Sequence, residues 1–348
     1  MEPTKTNGTR FRELDVLRGV ASLAVVVYHY SRHGSRYFDG YPFKFLYGRY
    51  GVQLFFVISG FVIYFTLERS RTLRDFAFSR FSRLYPAYWA TLLIVLASST
   101  LVLHERPWWT GYAINATMLQ EFVGVGDVDA VFWTLAVELV FYALMALVFV
   151  TGLLGQVVPL ALVWLVAAVV WSYETGSSGA SFDNVQQSYL ILPCAPYFVA
   201  GIMFHLIRSR GVRLSYVGMI ALAWLCIAFV NGFPQAWVAA LIFGAVALAV
   251  SGRLKVLITP VTLWLGAISY PLYLVHRDLG YPLLVWFNRH HVPHLLALAI
   301  AIATALLIAH LVSVTVERPA MRVLRNWYSK RSAHADAPVP AIQRSPAE

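Results

Sequence analysis

The sequence predicts an all-α polytopic membrane protein of about ten transmembrane helices with both termini in the cytoplasm. Three observations lead there. Of 348 residues, 59% are hydrophobic and 13% charged, about half the charge of a soluble domain of this length. Apolar runs close to the twenty residues a bilayer requires recur along the chain. The basic residues fall mostly on alternate loops, as the positive-inside rule demands.

The spans are expected near 14–31, 50–67, 84–103, 131–153, 156–171, 188–207, 215–231, 236–251, 261–287 and 293–316. The first run has no small-residue cleavage site and is followed by Ser31, Arg32 and His33, so it reads as a retained span. Pro86 suits the first turn of the third span, since its missing N–H is not needed there. The ninth run is long and interrupted by Pro271, Gly280 and Pro282, which predicts a broken or kinked helix. Cys194 and Cys226 each lie in an apolar stretch and read as packed helix residues, with no disulfide framework or metal cluster implied. With the N-terminus inside, 20 of the 27 Lys and Arg residues are cytoplasmic. That asymmetry accounts for most of the +10 net charge without invoking nucleic acid. The chain divides into a cytoplasmic segment 1–13, a membrane domain 14–319 and a tail 320–348. The tail is basic at first and then Ala/Pro-rich over 332–348, a composition that predicts disorder there. No internal repeat is evident.

Ionisable residues inside spans are costly and mark functional candidates. In "LDVLRGVASLAVVVYH", Arg18 and His29 are eleven residues apart. Eleven steps of ~100° end about 20° from three full turns, so the two share one helix face ~16 Å apart. They read either as an anchoring Arg with an interfacial His, or as two ends of a site. Glu138 lies in "FWTLAVELVFY", where Thr134, Glu138 and Tyr142 recur every four residues as one polar stripe. His276 closes "SYPLYLVH". These two and His29 fall at similar depth in the outer half of the bilayer, which suggests one shared site. Each also has a structural reading: Glu138 as an interhelical clamp on an Arg, His276 as a cap on its broken helix. Arg80 and Arg83, three apart in "RFSRLYP", share a face. They are either topology anchors or a paired clamp for phosphate, whose geometry guanidinium matches. Ser59 beside Gly60 is a small residue for close helix packing or a third polar candidate.

These motifs resemble the membrane-bound acyltransferase family 3, bacterial O-acyltransferases of polysaccharides, glycolipids, Nod factors and antibiotics. The resemblance rests on the Arg18–His29 spacing and on Phe55, Phe56, Ser59 and Gly60 of "LFFVISGFVI". It continues with Arg80 and Arg83, "FWTLAVELVFY", "SYPLYLVH" and "VERP" from Val316 to Pro319. It departs at Leu139, where the family commonly carries a second glutamate, and in having no stretch for an appended extracytoplasmic esterase-like domain. Transfer is therefore expected to finish within the helical core or with a separate partner. The resemblance implies acyl-CoA, acetyl-CoA first, as donor substrate from the cytoplasm, with no permanently bound cofactor and no metal. It implies a glycan or lipid-linked saccharide acceptor and a home in the bacterial inner membrane. In that scheme Arg18, Arg80 and Arg83 hold the CoA phosphates, and His29 is the general base. Glu138 orients or charge-stabilises His29, and Ser59, Tyr142, His276 and Glu317 are further candidates. A proton-coupled transporter shares the buried His and Glu and the broken helices, and a membrane scaffold is a third class. The ordered motifs and missing repeat favour the enzyme.

Overall fold

The computed structural model describes residues 11–37, 44–102, 104, 106–176 and 190–335. Its elements are helices: α1 Arg12–Tyr37, α2 Gly51–Arg69, α3 Leu73–Ala97, α4 Trp109–Asn115, α5 Trp133–Val150 and α6 Val157–Thr175. They continue with α7 Ala195–Arg210, α8 Leu214–Asn231, α9 Phe233–Val250, α10 Pro260–Arg289, α11 His294–Val312 and α12 Arg318–Ala335. Each of the ten expected runs overlaps one long helix. Among the described residues, seven helical stretches are long and apolar enough to cross a membrane. α1, α7 and α10 are not among them. α1 carries Arg12, Glu13, Asp15 and Arg18 in its first two turns, and α7 has only 16 residues.

Three expectations about individual elements change. α3 does not begin near Pro86: it starts thirteen residues before that proline, at Leu73, where Thr72 and Asp75 form a reciprocal capping box. Pro86 therefore lies inside the helix. Of the broken or kinked helix expected at the ninth run, the break does not occur: α10 is continuous through Pro271 and Pro282. The carbonyl that Pro282 cannot serve, that of Asp278, lies 3.5 Å from the Ser98 hydroxyl, one way a neighbouring helix re-satisfies the backbone. The helical part of the tail is longer than composition suggests, reaching Ala335. Residues 336–348, like 1–10 and the start of the sixth expected span at 188–189, lie outside the described residues. Cys194 and Cys226 are free thiols in the packed interior.

Two close helix crossings position everything else. α1 makes its most extensive contact with α10, and α2 with α7. At the first crossing a Cβ on Gly266 would stand 2.2 Å from the Asp15 carbonyl oxygen, and one on Gly19 2.7 Å from the Gly266 nitrogen. At the second, a Cβ on Gly60 would meet the Phe198 carbonyl oxygen at 2.2 Å, and one on Gly201 that of Val57 at 2.0 Å. Backbone thus rests on backbone in both places, the arrangement by which helices associate in lipid, where no hydrophobic effect draws them together. The two uses considered for Ser59-Gly60 separate here: Gly60 makes the crossing, and Ser59 lines a cavity.

Replacing Gly266 with Ala should force α1 and α10 apart, at a cost of about 1–3 kcal/mol. A lowered midpoint of thermal unfolding in detergent is the expected reading. An unchanged midpoint would show that the crossing tolerates a methyl group.

Candidate active site

α1 reaches two cavities. The first, of about 290 Å³, is lined by Arg18 of α1, Ser59 of α2, Arg80 and Arg83 of α3, and Glu138 and Tyr142 of α5. The second, of about 460 Å³, is lined by Tyr28, His29, Arg32, Gln53, Asn231 and Arg277 among others. Val52 and Tyr273 line both and so form their common wall. One helix therefore presents its Arg to one cavity and its His to the other.

In the arginine cavity, Glu138 Oε1 accepts hydrogen bonds from Ser59 Oγ at 3.1 Å and from the Tyr142 hydroxyl at 2.5 Å. The Thr134–Glu138–Tyr142 stripe lines the cavity from a single helix face. Arg83 pairs with Glu317, a carboxylate only 1% exposed. The π-helical turn Ser313–Glu317 delivers that glutamate. Such turns insert one extra residue per turn and re-aim a side chain, which is why they recur at functional sites. Arg80 donates to Ser79 Oγ at 3.1 Å, while its buried Nε, like Glu317 Oε2, has no hydrogen-bond partner. Charged neighbours of Arg18 are Arg83, Asp15, Glu138 and Glu317. Guanidinium groups crowded at one end of a cavity, with donors still unused, suit a multiply charged anion.

In the histidine cavity, His29 Nδ1 lies 3.0 Å from the Tyr281 hydroxyl. Tyr281 is held in place by the His33 ring stacked on it at 3.7 Å and by the Arg277 guanidinium 5.4 Å from its centre. Arg277 in turn donates to the buried Asp129 at 2.8 Å. The ring of His276 is centred 5.0 Å from that of His29. His276 Nδ1–H donates to the Tyr273 carbonyl at 2.7 Å, leaving Nε2 as a buried lone pair with no partner in the protein. The carbonyl of His276 accepts from the Tyr30 hydroxyl at 2.6 Å. Thr134 and Tyr273 join hydroxyls at 3.0 Å in the wall between the cavities.

The sequence-predicted residues thus gather in two groups. Arg18, Ser59, Arg80, Arg83, Glu138, Tyr142 and, through Arg83, Glu317 meet in one cavity. His29 lines the other, with the buried His276 ring beside it. Matched depth did not bring Glu138 to His29: its hydrogen bonds go to Ser59 and Tyr142, and the imidazole instead finds Tyr281. Tyr273 and Tyr281 were not singled out from sequence. Tyr273 stands three residues before His276 and so shares its face, a usable signal. Tyr281 offered only its place beside Pro282.

Comparison with known proteins supplies the class. The family described as "Acyltransferase domain" matches residues 11–314. The chain belongs to this acyltransferase-3 family and is an O-acyltransferase, a multi-pass membrane enzyme. Among its relatives, acyltransferase MdmB of Streptomyces mycarofaciens is 26% identical over 86% of each chain. O-acetyltransferase OatA of Staphylococcus aureus is 24% identical over 87% of this chain, which spans about half of OatA's length (55%). Nodulation protein 10 of Rhizobium leguminosarum bv. viciae is 28% identical over 41% of this chain and 45% of its own. No solved structure matches the chain.

Tyr281→Phe removes the hydroxyl that bonds His29 and also meets the Arg277 guanidinium, and leaves the ring stacked on His33. Net bonds of this kind contribute about 0.5–1.5 kcal/mol. Turnover should therefore fall roughly two- to tenfold with protein yield and thermal midpoint unchanged. Unaltered turnover would show that Tyr281 does not orient the imidazole.

Proposed function

We propose that the protein moves an acyl group, acetyl first, from cytoplasmic acyl-CoA to a hydroxyl of a glycan or lipid-linked saccharide, in the bacterial inner membrane. The observation that carries this reading is that α1 lines one cavity with Arg18 and the other with His29. Along a helix the two lie ~16 Å apart, the order of a pantetheine arm. CoA phosphates would bind at Arg18, Arg80 and Arg83, and the arm would pass the Tyr273 wall toward His29. The topology proposed with it has ten spans, adding α1, α7 and α10 to the seven apolar stretches, with both termini cytoplasmic.

With its Nδ1–H donated to the Tyr281 oxygen, His29 keeps a lone pair on Nε2. That nitrogen takes the proton from the acceptor hydroxyl, whose oxygen attacks the thioester carbonyl carbon. The C–O bond forms, the C–S bond breaks, and the CoA thiolate leaves with the proton returned from His29. Glu138 acts in the donor cavity, where it fixes the Ser59 and Tyr142 hydroxyls along the path of the arm. The Ser59–Glu138 hydrogen bond also supports a second route, an acyl-Ser59 intermediate later attacked by the acceptor.

Loss of a general base costs roughly 10²–10⁴-fold in rate. His29→Ala should lose activity on that scale while still binding acyl-CoA, measured as turnover and as acetyl-CoA retention by the purified protein. Wild-type turnover in this variant would remove His29 from the chemistry.

Arg80→Ala and Arg83→Ala should each weaken acetyl-CoA binding, the loss of a charge-assisted contact amounting to about 1.5–3 kcal/mol. Lys should rescue only part, because it lacks the bidentate fork. Titrations that match wild type would return both arginines to the role of topology anchors. Sidedness tests the layout independently. External acetyl-CoA should be consumed by inside-out vesicles and not by sealed right-side-out ones, because moving the charged head group through hydrocarbon is costly. Equal consumption by both would reverse or dissolve the assigned orientation.

A further inference from the structure

The sequence reads the segment after Glu317 as a basic tail, and the family match ends at residue 314. The structure makes it a helix, α12, with a sharply divided apolar and basic surface. α12 is tied to α3 at two levels. Just before its start, Glu317 pairs with Arg83. Three turns later the Tyr328 hydroxyl donates to Asp75 Oδ1 at 2.8 Å, and the Tyr328 ring stacks on Phe78 at 4.3 Å. Moving up α12 from 317 to 328 thus moves down α3 from 83 to 75. The helices run antiparallel, and the level of Arg325 falls near Arg80. Arg325 accordingly lines the arginine cavity, with Arg80 and Arg83 as its charged neighbours.

Among the described residues no salt bridge pairs a carboxylate with Arg325, and its charged neighbours Arg80 and Arg83 are like charges that repel it. The docking contacts of α12 are made by Tyr328, Trp327 and Glu317, so Arg325 is not needed to hold the helix. A helix pinned at both levels nevertheless brings a fourth guanidinium to a cavity that already holds three. Such a cluster suits an anion of several charges.

We propose that Arg325 is a donor-binding residue: from α12 it closes the rim of the arginine cavity and takes a phosphate of the acyl-CoA head group. α12 is on this view a wall of the donor site. The inference rests on the reading of that cavity as the acyl-CoA site, and deepens it. Arg331 provides the internal control, since it sits on the same helix with the same charge but packs over Trp327 at 5.2 Å and does not line the cavity.

The test titrates acetyl-CoA into the full-length protein in detergent for wild type, Arg325→Ala, Arg325→Lys, Arg331→Ala and Tyr328→Phe. Arg325 is at a solvent-exposed rim, so its loss should weaken binding roughly three- to tenfold at low salt, less at high salt. Lys should recover part of the loss, and Arg331→Ala should match wild type. Tyr328→Phe should weaken binding in the same direction and add little when combined with Arg325→Ala, because it acts through the same side chain. If wild type fails to bind acetyl-CoA, the donor reading falls and this inference with it. If wild type binds and Arg325→Ala binds equally well, this inference alone is overturned. Equal losses in Arg325→Ala and Arg331→Ala would overturn it too, because they would reflect net charge rather than a contact.

Discussion

The site depends on how closely α1 can approach α10. α1 carries Arg18 and His29, and α10 carries Tyr270, Tyr273, His276, Arg277 and Tyr281. Gly19 and Gly266 let the two backbones touch where any side chain would collide with a carbonyl oxygen or an amide nitrogen. From that contact the rest follows by helix geometry. His29, ten residues beyond Gly19, comes level with His276, ten residues beyond Gly266, and the two rings lie 5.0 Å apart. A wider crossing would leave Arg18 and His29 on the same face of α1 but facing lipid or another helix. In a bilayer the backbone approach matters more than in water, since dispersion contacts and hydrogen bonds are what remains to hold helices together.

Electrostatics divides the interior into two unlike halves. In the arginine cavity the guanidinium groups outnumber the carboxylates around them, and each carboxylate is already engaged: Glu138 by two hydroxyls, Glu317 by Arg83. At the histidine cavity Arg277 is matched by Asp129, and His29 and the buried His276 beside it each hold a hydrogen bond to an uncharged partner. A buried charge without a partner is expensive, whereas a buried imidazole can stay neutral and keep a lone pair available. The separation matches a division of labour between holding a charged donor and moving a proton.

Both cavities are assembled from distant parts of the chain. The arginine cavity draws on α1, α2, α3, α5, α10 and α12, and its most local unit is the Thr134–Glu138–Tyr142 stripe on one helix. Turns and caps decide how these parts meet. The capping box at Thr72 and Asp75 starts α3 early enough for Arg80 and Arg83 to lie inside a helix. The π-turn at Ser313–Glu317 aims Glu317 at Arg83 and sets the direction of α12.

Local spacing was enough to determine that the chain is a bundle of membrane helices, and that Arg18 and His29, Arg80 and Arg83, and Thr134, Glu138 and Tyr142 share faces. Periodicity acts within one helix and needs no partner, so those relations were legible. Expected depth misled: it grouped Glu138 with His29, and depth along a membrane normal says nothing about which helices are neighbours. The early start of α3 came from the capping box of Thr72 and Asp75, and the Asp278 carbonyl freed by Pro282 lies near Ser98; these residues lie outside the motifs. Only the tertiary structure decided that Tyr281 partners His29 and that Arg325 joins the arginines. Each pairing joins residues 242 or more positions apart, through backbone contacts at glycines or through stacked rings, and no periodic pattern in the sequence encodes distances of that kind.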